Sequence, residues 1–286
     1  MISIHDDTPC ELGEAPLWHP ERGHLFWVDI LGKRLLTQEG GRTREWQFDR
    51  MVSAAGWVDR DRLLIASERD LFVLDIDSGA TETLCPLEAR MDGTRSNDGR
   101  ADPWGGFWIG TMGKNAEPRA GAIYRWHRGE LRQLKSELTI PNAICFSPDR
   151  RVAYYTDTPT RIVMRQALDA ETGWPKGEAF AWLDLRAEGL NPDGAVTDAD
   201  GNVWIAQWGA HRVACYSPEG AFLHAVDVPA RHTSCPAFGG AGFDTLFCTT
   251  AREGLSPEVI AAEPGNGLTY AARGAGLGRP EPKVIL

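Results

Sequence analysis

The sequence lacks the features of a membrane, secreted or nucleic-acid-binding protein. No segment of the chain approaches the run of about 18 apolar residues that a transmembrane helix requires. The N-terminal MISIHDDTPC has no basic segment followed by an apolar run, so we expect no secretory signal. The formal net charge is −10, whereas phosphate backbones are bound by basic surfaces. We therefore expect a cytoplasmic protein whose partners include neither nucleic acid nor a membrane.

Several catalytic and metal-binding motifs are also missing. The six cysteines form no CxxC pair and are scattered along the chain, which is typical of small buried side chains in a reducing compartment and not of a zinc–thiolate site. No histidine pair has HExxH spacing, and no GxSxG elbow is present. We interpret the histidines as surface or packing residues. His232, which precedes a strand-like segment, is the one histidine that could reach a functional site.

A long helical pattern is absent as well, and what the chain contains instead is a repeat of short strands. The one helical candidate, 255–264, is short, ends at a proline and is interpreted as a loop or a single helical turn. Six times, a turn of small residues leads into an aromatic or aliphatic strand, and the strand centres are Trp27, Leu64, Trp108, Tyr154, Trp204 and Phe247. Their successive spacings are 37, 44, 46, 50 and 43 residues, and a strand-built period of this size is typical of a β-propeller blade.

Each repeat continues with two further β-rich runs separated by glycine-containing turns, so each repeat holds four strands and corresponds to one blade. The sequence therefore predicts an all-β, six-bladed β-propeller that forms one domain over residues 1–286. Several of the eleven tryptophans fall inside the repeated strands, and we expect them to fill the wedges between blades. The head (2–5) and the tail (282–286) both look strand-like. One of them is expected to complete the last blade and thereby remove an exposed edge.

The repeat also assigns equivalent positions at one end of the central channel. Counting back 11 to 13 residues from the strand centres gives six polar residues, which are Glu14, Ser53, Asn97, Asn142, Asp193 and Ser234. Side chains at equivalent positions around a ring converge near its axis. Two carboxylates and two amides among them offer oxygen ligands, which predicts a site for a hard cation such as Ca²⁺ or Mg²⁺. Zn²⁺, Mn²⁺ and Fe²⁺ also accept such oxygens, so the choice of metal stays open.

Each of these positions also has an ordinary structural interpretation. Asn-Pro-Asp-Gly (191–194) and the Asn97–Gly99 segment are turn sequences in their own right, and Asn142 beside Pro141 could be a turn residue. The argument for a metal site rests on four oxygen-bearing side chains that share one blade position.

Several motifs in the same order along the chain resemble the senescence marker protein/gluconolactonase/luciferin-regenerating family, which includes regucalcin. The resemblance covers nearly the whole chain and is carried by ELGEAPLWHP (11–20), WVDI (27–30), RSNDGRADPWGGFWIGTM (95–112), GAIYR (121–125), SPDRRVAYYTDT (147–158), NPDGAVTDADGNVWIAQWG (191–209), CPAFGG (235–240) and LFCTTAREGLS (246–256).

The resemblance implies a six-bladed propeller with a single divalent metal held by Glu14, Asn142 and Asp193. It further implies that Arg95 and Asn97 contact the substrate, and that Glu117, on a loop of variable length, reaches sugar hydroxyls. Asp98 is expected to stay at the rim or to brace Arg95. Two departures are visible: Ala143 stands where the family commonly has glycine after the metal-binding asparagine, and Arg150 stands where an SPDG turn has glycine. The first could alter the backbone beside the metal, whereas the second is expected to matter little.

The activity that the resemblance implies is hydrolysis of a sugar-acid lactone, such as glucono-, xylono-, arabino- or galactonolactone, to the open aldonate. One divalent cation, with Ca²⁺ favoured, would polarise the carbonyl and activate water, and Asp193 would act as general base. The expected assembly is a monomer or a weak homo-oligomer. Two other functions stay open: a phosphotriesterase or aryl-ester lactonase on the same scaffold, and a non-enzymatic calcium-binding or protein-binding propeller. The GH…WD signature of WD-repeat scaffolds is absent.

Overall fold

The computed structural model describes residues 2–286, which fold into six four-stranded sheets arranged as the blades of a β-propeller. The first strand along the chain is β1 (Ile2–Asp6). Blade 1 contains β2 (Gly13–His19), β3 (His24–Asp29), β4 (Arg34–Glu39) and β5 (Arg42–Gln47). Blade 2 contains β6 (Val52–Asp59), β7 (Arg62–Ser67), β8 (Asp70–Asp75) and β9 (Thr81–Pro86). Blade 3 contains β10 (Thr94–Ala101), β11 (Phe107–Gly113), β12 (Gly121–His127) and β13 (Glu130–Leu138).

The second half of the chain repeats the arrangement. Blade 4 contains β14 (Pro141–Phe146), β15 (Val152–Asp157), β16 (Ile162–Ala167) and β17 (Phe180–Asp184). Blade 5 contains β18 (Asn191–Thr197), β19 (Val203–Trp208), β20 (Arg212–Tyr216) and β21 (Phe222–Asp227). Blade 6 contains β22 (His232–Gly239), β23 (Thr245–Ala251) and β24 (Thr269–Arg273). The predicted six-bladed propeller is confirmed.

Helices are short and few in the described part of the chain. A 3₁₀-helix covers Thr158–Thr160, and helix α1 covers Pro257–Ala262, within the segment that the sequence marked as a loop or a single turn. Ser256 caps α1 by accepting a hydrogen bond from the Val259 amide. Among residues 2–286, no helix is both long and apolar enough to cross a membrane.

The N-terminal strand closes the ring. Strand β1 pairs antiparallel with β24, with Ile2 opposite Ala272 and Ile4 opposite Tyr270, so blade 6 is built from both ends of the chain. This pairing covers the edge that β24 would otherwise expose. The prediction that a terminal strand completes the last blade is confirmed for the head of the chain.

The tail takes a different path, and its strand-like interpretation is wrong. Residues 276–286 form no strand and cross the end of the channel opposite Glu14, where single backbone hydrogen bonds tie them to four blades. The Gly278 amide donates to Phe243 O at 2.8 Å, and the Val284 amide donates to Trp57 O at 2.9 Å. Because these hydrogen bonds are isolated and reach different blades, the segment does not pair with any one strand. It closes the channel as an irregular strap.

Aromatic side chains fill the wedges between blades, as the repeat predicted. Trp204 of blade 5 meets Phe238 of blade 6 edge-on at 5.5 Å between ring centroids, and Trp108 of blade 3 meets Phe146 of blade 4 at 5.3 Å. Trp27, Trp108 and Trp204 are buried. All six cysteines are free thiols, five buried and Cys85 partly exposed, which agrees with their interpretation as packing residues.

Candidate metal and substrate site

The six polar residues predicted at the channel mouth all lie at irregularities of the innermost strands. In every blade the pairing between the first two strands shifts register at that position, which is the mark of a β-bulge, and the shifts lie between Glu14 and Leu17, Val52 and Ala54, Ser96 and Gly99, Asn142 and Cys145, Pro192 and Ala195, and Thr233 and Cys235. A bulge breaks the strict alternation of side chains and re-aims the residue beside it. The bulges thus explain how polar side chains at the mouth arise from strands that are otherwise packed between neighbours.

A chain of hydrogen bonds connects Arg95, Asn97, Asn142 and Thr158, and its direction is set at both ends. Arg95 can only donate, and its Nη1 donates to Asn97 Oδ1 at 2.8 Å. Asn97 Nδ2 donates to Asn142 Oδ1 at 2.8 Å, and Asn142 Nδ2 donates to Thr158 Oγ1 at 2.9 Å. Thr158 Oγ1 donates its hydrogen to Pro192 O at 2.8 Å, so it must accept from Asn142. The network therefore orients the Asn142 amide with its oxygen away from Thr158, and that oxygen keeps one lone pair unused.

Glu14 and Asp193 bring two carboxyl groups to the same place. Both are buried, at 6% and 5% exposure, and their charges interact. Burial, followed by the charge of Asp98, raises the pKa of Glu14 to about 8. Burial, followed by the charge of Glu14, raises the pKa of Asp193 well above its ordinary range. Two desolvated carboxylates beside each other are costly unless a cation accompanies them.

The residues present fit a divalent cation. No group of three or more His, Cys, Asp and Glu suited to a metal occurs within residues 2–286. Glu14, Asp193 and the free lone pair of Asn142 Oδ1 supply a set of hard oxygen donors. Three protein ligands would leave coordination positions for water and a substrate oxygen.

A cavity of about 480 Å³ opens at this end of the channel, a size within the usual range for small-molecule sites. Its walls contain five of the predicted residues, namely Glu14, Arg95, Asn97, Asn142 and Asp193. The other residues that line it were not predicted and are Leu12, Met112, Lys114, Asn115, Ala116, Ile140, Thr158, Trp208 and Glu253.

Glu117, the sixth predicted site residue, does not line this cavity. Its carboxylate is exposed and bound to its own loop, because Oε2 accepts the Asn115 amide at 3.1 Å and Oε1 accepts Asn115 Nδ2 at 2.9 Å. Lys114 and Asn115 face the cavity instead. Lys114 Nζ also contacts Glu68 Oε2 of blade 2 at 2.5 Å.

His232 does not line the cavity either, but it supports two residues that do. Its Nδ1 lies 3.0 Å from Glu253 O, and because a carbonyl can only accept, Nδ1 carries the hydrogen. Its ring stacks on Trp208 with the centroids 4.1 Å apart and the planes 20° from parallel. Burial lowers the pKa of His232, so its neutral form is favoured.

Blade 6 contributes to the cavity although its residue at the channel mouth, like that of blade 2, is structural. Ser53 and Ser234 are structural, because Ser53 Oγ donates to Ser96 Oγ at 2.7 Å and Ser234 Oγ to Gly13 O at 2.5 Å. Blade 6 nevertheless supplies Glu253, which lies two residues after the end of β23. The only sequence signal for Glu253 was its place in the AREGLS motif.

Asp98 lies deeper than expected. It is 2% exposed, and its Oδ2 accepts the Ile144 amide of blade 4 at 2.7 Å, so it neither stays at the rim nor pairs with Arg95. Together with the Asn97 hydrogen bond to Pro141 O at 3.0 Å, this contact brackets the segment that carries Asn142.

Comparison with known proteins shows the family to which the chain belongs. The family model described as "SMP-30/Gluconolactonase/LRE-like region" matches residues 12–252. The chain belongs to this family. A protein of Rhizobium meliloti (strain 1021), named only provisionally as a sugar lactone lactonase, is 42% identical over 98% of this chain and 96% of its own length. The 6-deoxy-6-sulfogluconolactonase of Pseudomonas putida is 34% identical over 96% of this chain and 95% of its own. Among solved structures, a calcium-binding protein, regucalcin, from Agrobacterium tumefaciens strain C58 superposes with a TM-score of 0.97 at 39% identity, covering 99% of this chain and 97% of that one.

The two departures from the pattern of the SMP-30/gluconolactonase family both fall on left-handed backbone. Ala143 has φ of 56° and Arg150 has φ of 61°, a region that glycine adopts without a steric penalty. Ala143 is fully buried beside Asn142, so the backbone there keeps the conformation that glycine favours despite the substitution. Arg150 places its guanidinium 5.1 Å from the centroid of the Trp104 ring, a contact that offsets part of the strain.

Proposed function

We propose that this protein is an enzyme that hydrolyses a sugar-acid lactone to the open aldonate in the cavity at the channel mouth. The observation that carries the proposal is the directed hydrogen-bond chain from Arg95 to Thr158, which leaves one amide oxygen of Asn142 beside the carboxyl groups of Glu14 and Asp193. The lactonase names of the similar proteins in Rhizobium meliloti and Pseudomonas putida support the substrate class.

The proposal includes one divalent cation held by Glu14, Asn142 and Asp193. When bound, a cation at this position would supply the charge that polarises a lactone carbonyl and lowers the pKa of a nearby water. Ca²⁺ is favoured by the all-oxygen ligand set and by the calcium-binding protein of Agrobacterium tumefaciens. Zn²⁺, Mg²⁺, Mn²⁺ and Fe²⁺ are the alternatives that a metal titration has to compare.

The residues divide the chemical work between them. Asp193 accepts a proton from the attacking water, whose oxygen forms the new bond to the carbonyl carbon. When the bond from that carbon to the ring oxygen breaks, the same proton returns to the ring oxygen as a hydroxyl. Glu14, whose Oε2 accepts the Ala15 amide at 2.9 Å, stays in place as a ligand. Arg95 and Asn97, held by their mutual hydrogen bond, donate to the sugar hydroxyls or to the carbonyl.

The polar wall favours a polyol substrate over the aryl esters and phosphotriesters of related propellers. Arg95, Asn97, Asn115 and Lys114 line the cavity with amide and cationic groups suited to hydroxyls. Glu117 takes no part in this arrangement, because its carboxylate faces solvent. The six free thiols support a cytoplasmic location, and we propose a monomer or a weak homo-oligomer.

Hydrolysis releases a proton, so a pH-indicator assay tests the proposal directly. Glucono-, xylono-, arabino- and galactonolactone are compared with and without chelator, after subtraction of the spontaneous reaction. We expect saturable turnover of at least one lactone, its loss with chelator, and its return on addition of a divalent metal. Failure with every lactone under every metal would sink the proposal.

Asp193→Asn tests the general base. We expect turnover to fall by about 10²- to 10⁴-fold, the usual contribution of acid–base catalysis, with an unchanged fold. Asp200→Asn, an exposed substitution of the same type in the turn after β18, should retain full activity. If Asp193→Asn kept the parent rates on all lactones, Asp193 would not be the base.

The second candidate function is calcium binding without lactone hydrolysis, because the superposed Agrobacterium protein is described as calcium-binding. Calorimetric titration separates the two functions. Calcium binding that Glu14→Gln abolishes, together with no turnover of any lactone, would establish the second candidate in place of the first.

A further inference from the structure

The cavity has a wall that the proposed chemistry does not use. Trp208 ends β19 in blade 5, and Glu253 follows β23 in blade 6. Arg95 and Asn97 come from blade 3. In a ring of six blades, blade 6 lies opposite blade 3, so Glu253 faces the blade 3 residues across the channel mouth.

The backbone of Glu253 is fixed by hydrogen bonds at the edge of the cavity. Both of its backbone groups are engaged, since its amide donates to Glu11 O at 2.9 Å and its carbonyl accepts His232 Nδ1 at 3.0 Å. Within residues 2–286 its carboxylate makes no ion pair shorter than 4 Å. Its negative charge nevertheless acts on Arg95. Burial lowers the pKa of Arg95, and among the carboxylates that oppose this effect Glu253 has the largest influence. A carboxylate placed this way can accept hydrogen bonds from hydroxyl groups of a ligand.

The Trp208 side chain is also held in position at the cavity. Stacking against His232 covers one face of its indole ring and limits its rotation, and Trp208 is among the residues that line the cavity. A large aromatic surface at low conformational cost suits the C–H face of a sugar, which is apolar, while the hydroxyls at its edge need polar partners. Trp208 and Glu253 offer both kinds of contact side by side.

We infer that Trp208 and Glu253 form a polyol-binding wall opposite Arg95, in which Trp208 packs on the C–H face of the sugar chain and Glu253 accepts its hydroxyl hydrogens. His232 is a positioning residue for this wall, because the same imidazole holds the Glu253 carbonyl and supports the Trp208 ring. The inference rests on the proposed lactonase function and adds the feature by which a hydroxylated lactone is preferred over an unsubstituted one.

Comparing a sugar lactone with a lactone that has no hydroxyl groups separates substrate binding by the wall from the chemical step. We expect Glu253→Gln and Trp208→Phe to raise KM for the preferred sugar lactone by about 10-fold, with kcat changed less than twofold, because the interactions are made equally in the bound substrate and in the transition state. The KM for δ-valerolactone, which has no hydroxyl groups but keeps a C–H face, should stay unchanged in Glu253→Gln and rise in Trp208→Phe. Glu258→Gln, an exposed substitution on α1 in the same segment, is the matched control. Equal KM values for the variants and the parent on both substrates would overturn the wall.

His232 is tested by two complementary variants. His232→Phe keeps a ring against Trp208 but loses the donor to Glu253, and His232→Asn keeps a donor near the Nδ1 position but loses the ring. We expect each to raise KM for the sugar lactone by a smaller factor than His232→Ala, with kcat retained. An unchanged KM in His232→Ala would remove its positioning role.

A direct binding measurement tests the polyol-binding wall independently of lactone hydrolysis. Gluconate, the open form of a sugar lactone, is titrated into the metal-loaded protein by calorimetry, with hexanoate as the unhydroxylated control. We expect gluconate to bind more tightly than hexanoate, and Glu253→Gln to weaken gluconate alone. If the parent protein shows this pattern but hydrolyses no lactone, the proposed function fails and the wall stands. If it hydrolyses sugar lactones but binds gluconate no better than hexanoate, the wall fails and the function stands.

Discussion

Replacing Thr158 with valine tests whether the directed hydrogen-bond chain prepares Asn142 for a metal. Thr158 is half-buried, and its hydroxyl accepts from Asn142 Nδ2 at 2.9 Å while donating to Pro192 O at 2.8 Å. Valine keeps the branched shape of the side chain and removes both hydrogen bonds. The Asn142 amide, which is 3% exposed, then has a donor without a partner, and of the hydrogen-bond chain only the bond from Asn97 Nδ2 remains to orient it.

The size of the effect follows from what the hydroxyl provides. Residues that orient a metal ligand without touching the metal typically change its affinity by about 10- to 100-fold when removed. We therefore expect the dissociation constant for Ca²⁺ to rise by about 10-fold or more, which corresponds to at least about 1.4 kcal/mol. Loss of the hydrogen bonds should also lower the free energy of unfolding of the metal-free protein by about 1–3 kcal/mol.

Calorimetric titration of the chelator-stripped protein measures the affinity, and chemical denaturation measures the stability. Thr158→Ser keeps the hydroxyl and should retain the parent affinity. The reasoning is refuted if Thr158→Val binds the metal within twofold of the parent, because the orientation of Asn142 would then not depend on this contact. If the parent itself binds no divalent cation, the proposed metal site is wrong.

Other predictions concern stability. Glu281→Ala should lower the free energy of unfolding by about 3–5 kcal/mol in chemical denaturation, because it leaves Arg100 as a buried charge without its partner; a loss below 1 kcal/mol would mean that the strap does not depend on this ion pair. Burial raises the pKa of Asp98 from 3.8 to about 6, and its Oδ1 has no hydrogen-bond partner within residues 2–286. The folded state then binds more protons than the unfolded state, so the carboxyl costs stability that grows as the pH rises from about 4 to about 6, reaching about 3 kcal/mol. Asp98→Asn should stabilise the metal-free protein at pH 7 and have little effect at pH 3.5, and an equal effect at both pH values would contradict this. Arg150→Gly should change the melting temperature little, because relief of left-handed strain is offset by loss of the Trp104 contact and by the greater freedom of glycine in the unfolded chain; a shift of more than about 4 °C would show that one effect dominates.

The fold was predictable because similar strand sequences recur at regular spacing along the chain. A blade buries its face only against the next blade, so each repeat needs a bulky strand centre such as Trp27, Trp108 or Trp204, and these recur at blade spacing. The same register located the mouth residues, because equivalent positions in a closed ring converge on one axis. The bulges that aim these side chains have no comparable signal, because a shift of register depends on how two strands pair and not on a periodic residue type.

The unpredicted part of the site lies in the loops that follow the second strand of each blade. Thr158 follows β15 directly and Glu253 lies two residues after β23, but these loops differ in length and conformation and do not repeat as the strands do. In the loop after β11, Glu117 was predicted at the substrate, but the loop turns at Ala116, with φ of 56°, and Asn115 binds the Glu117 carboxylate. Lys114, three residues earlier, lines the cavity as a result.

The sequence by itself determined six blades, their aromatic filling and the positions at which Glu14, Asn142 and Asp193 could meet, because strand periodicity and repeat register are local properties of the chain. Only the tertiary structure decided that Thr158 orients Asn142, that Glu253 faces the cavity from blade 6 and that the tail closes the far end as a strap. Those arrangements depend on hydrogen bonds and packing between segments far apart in sequence, which no local pattern encodes.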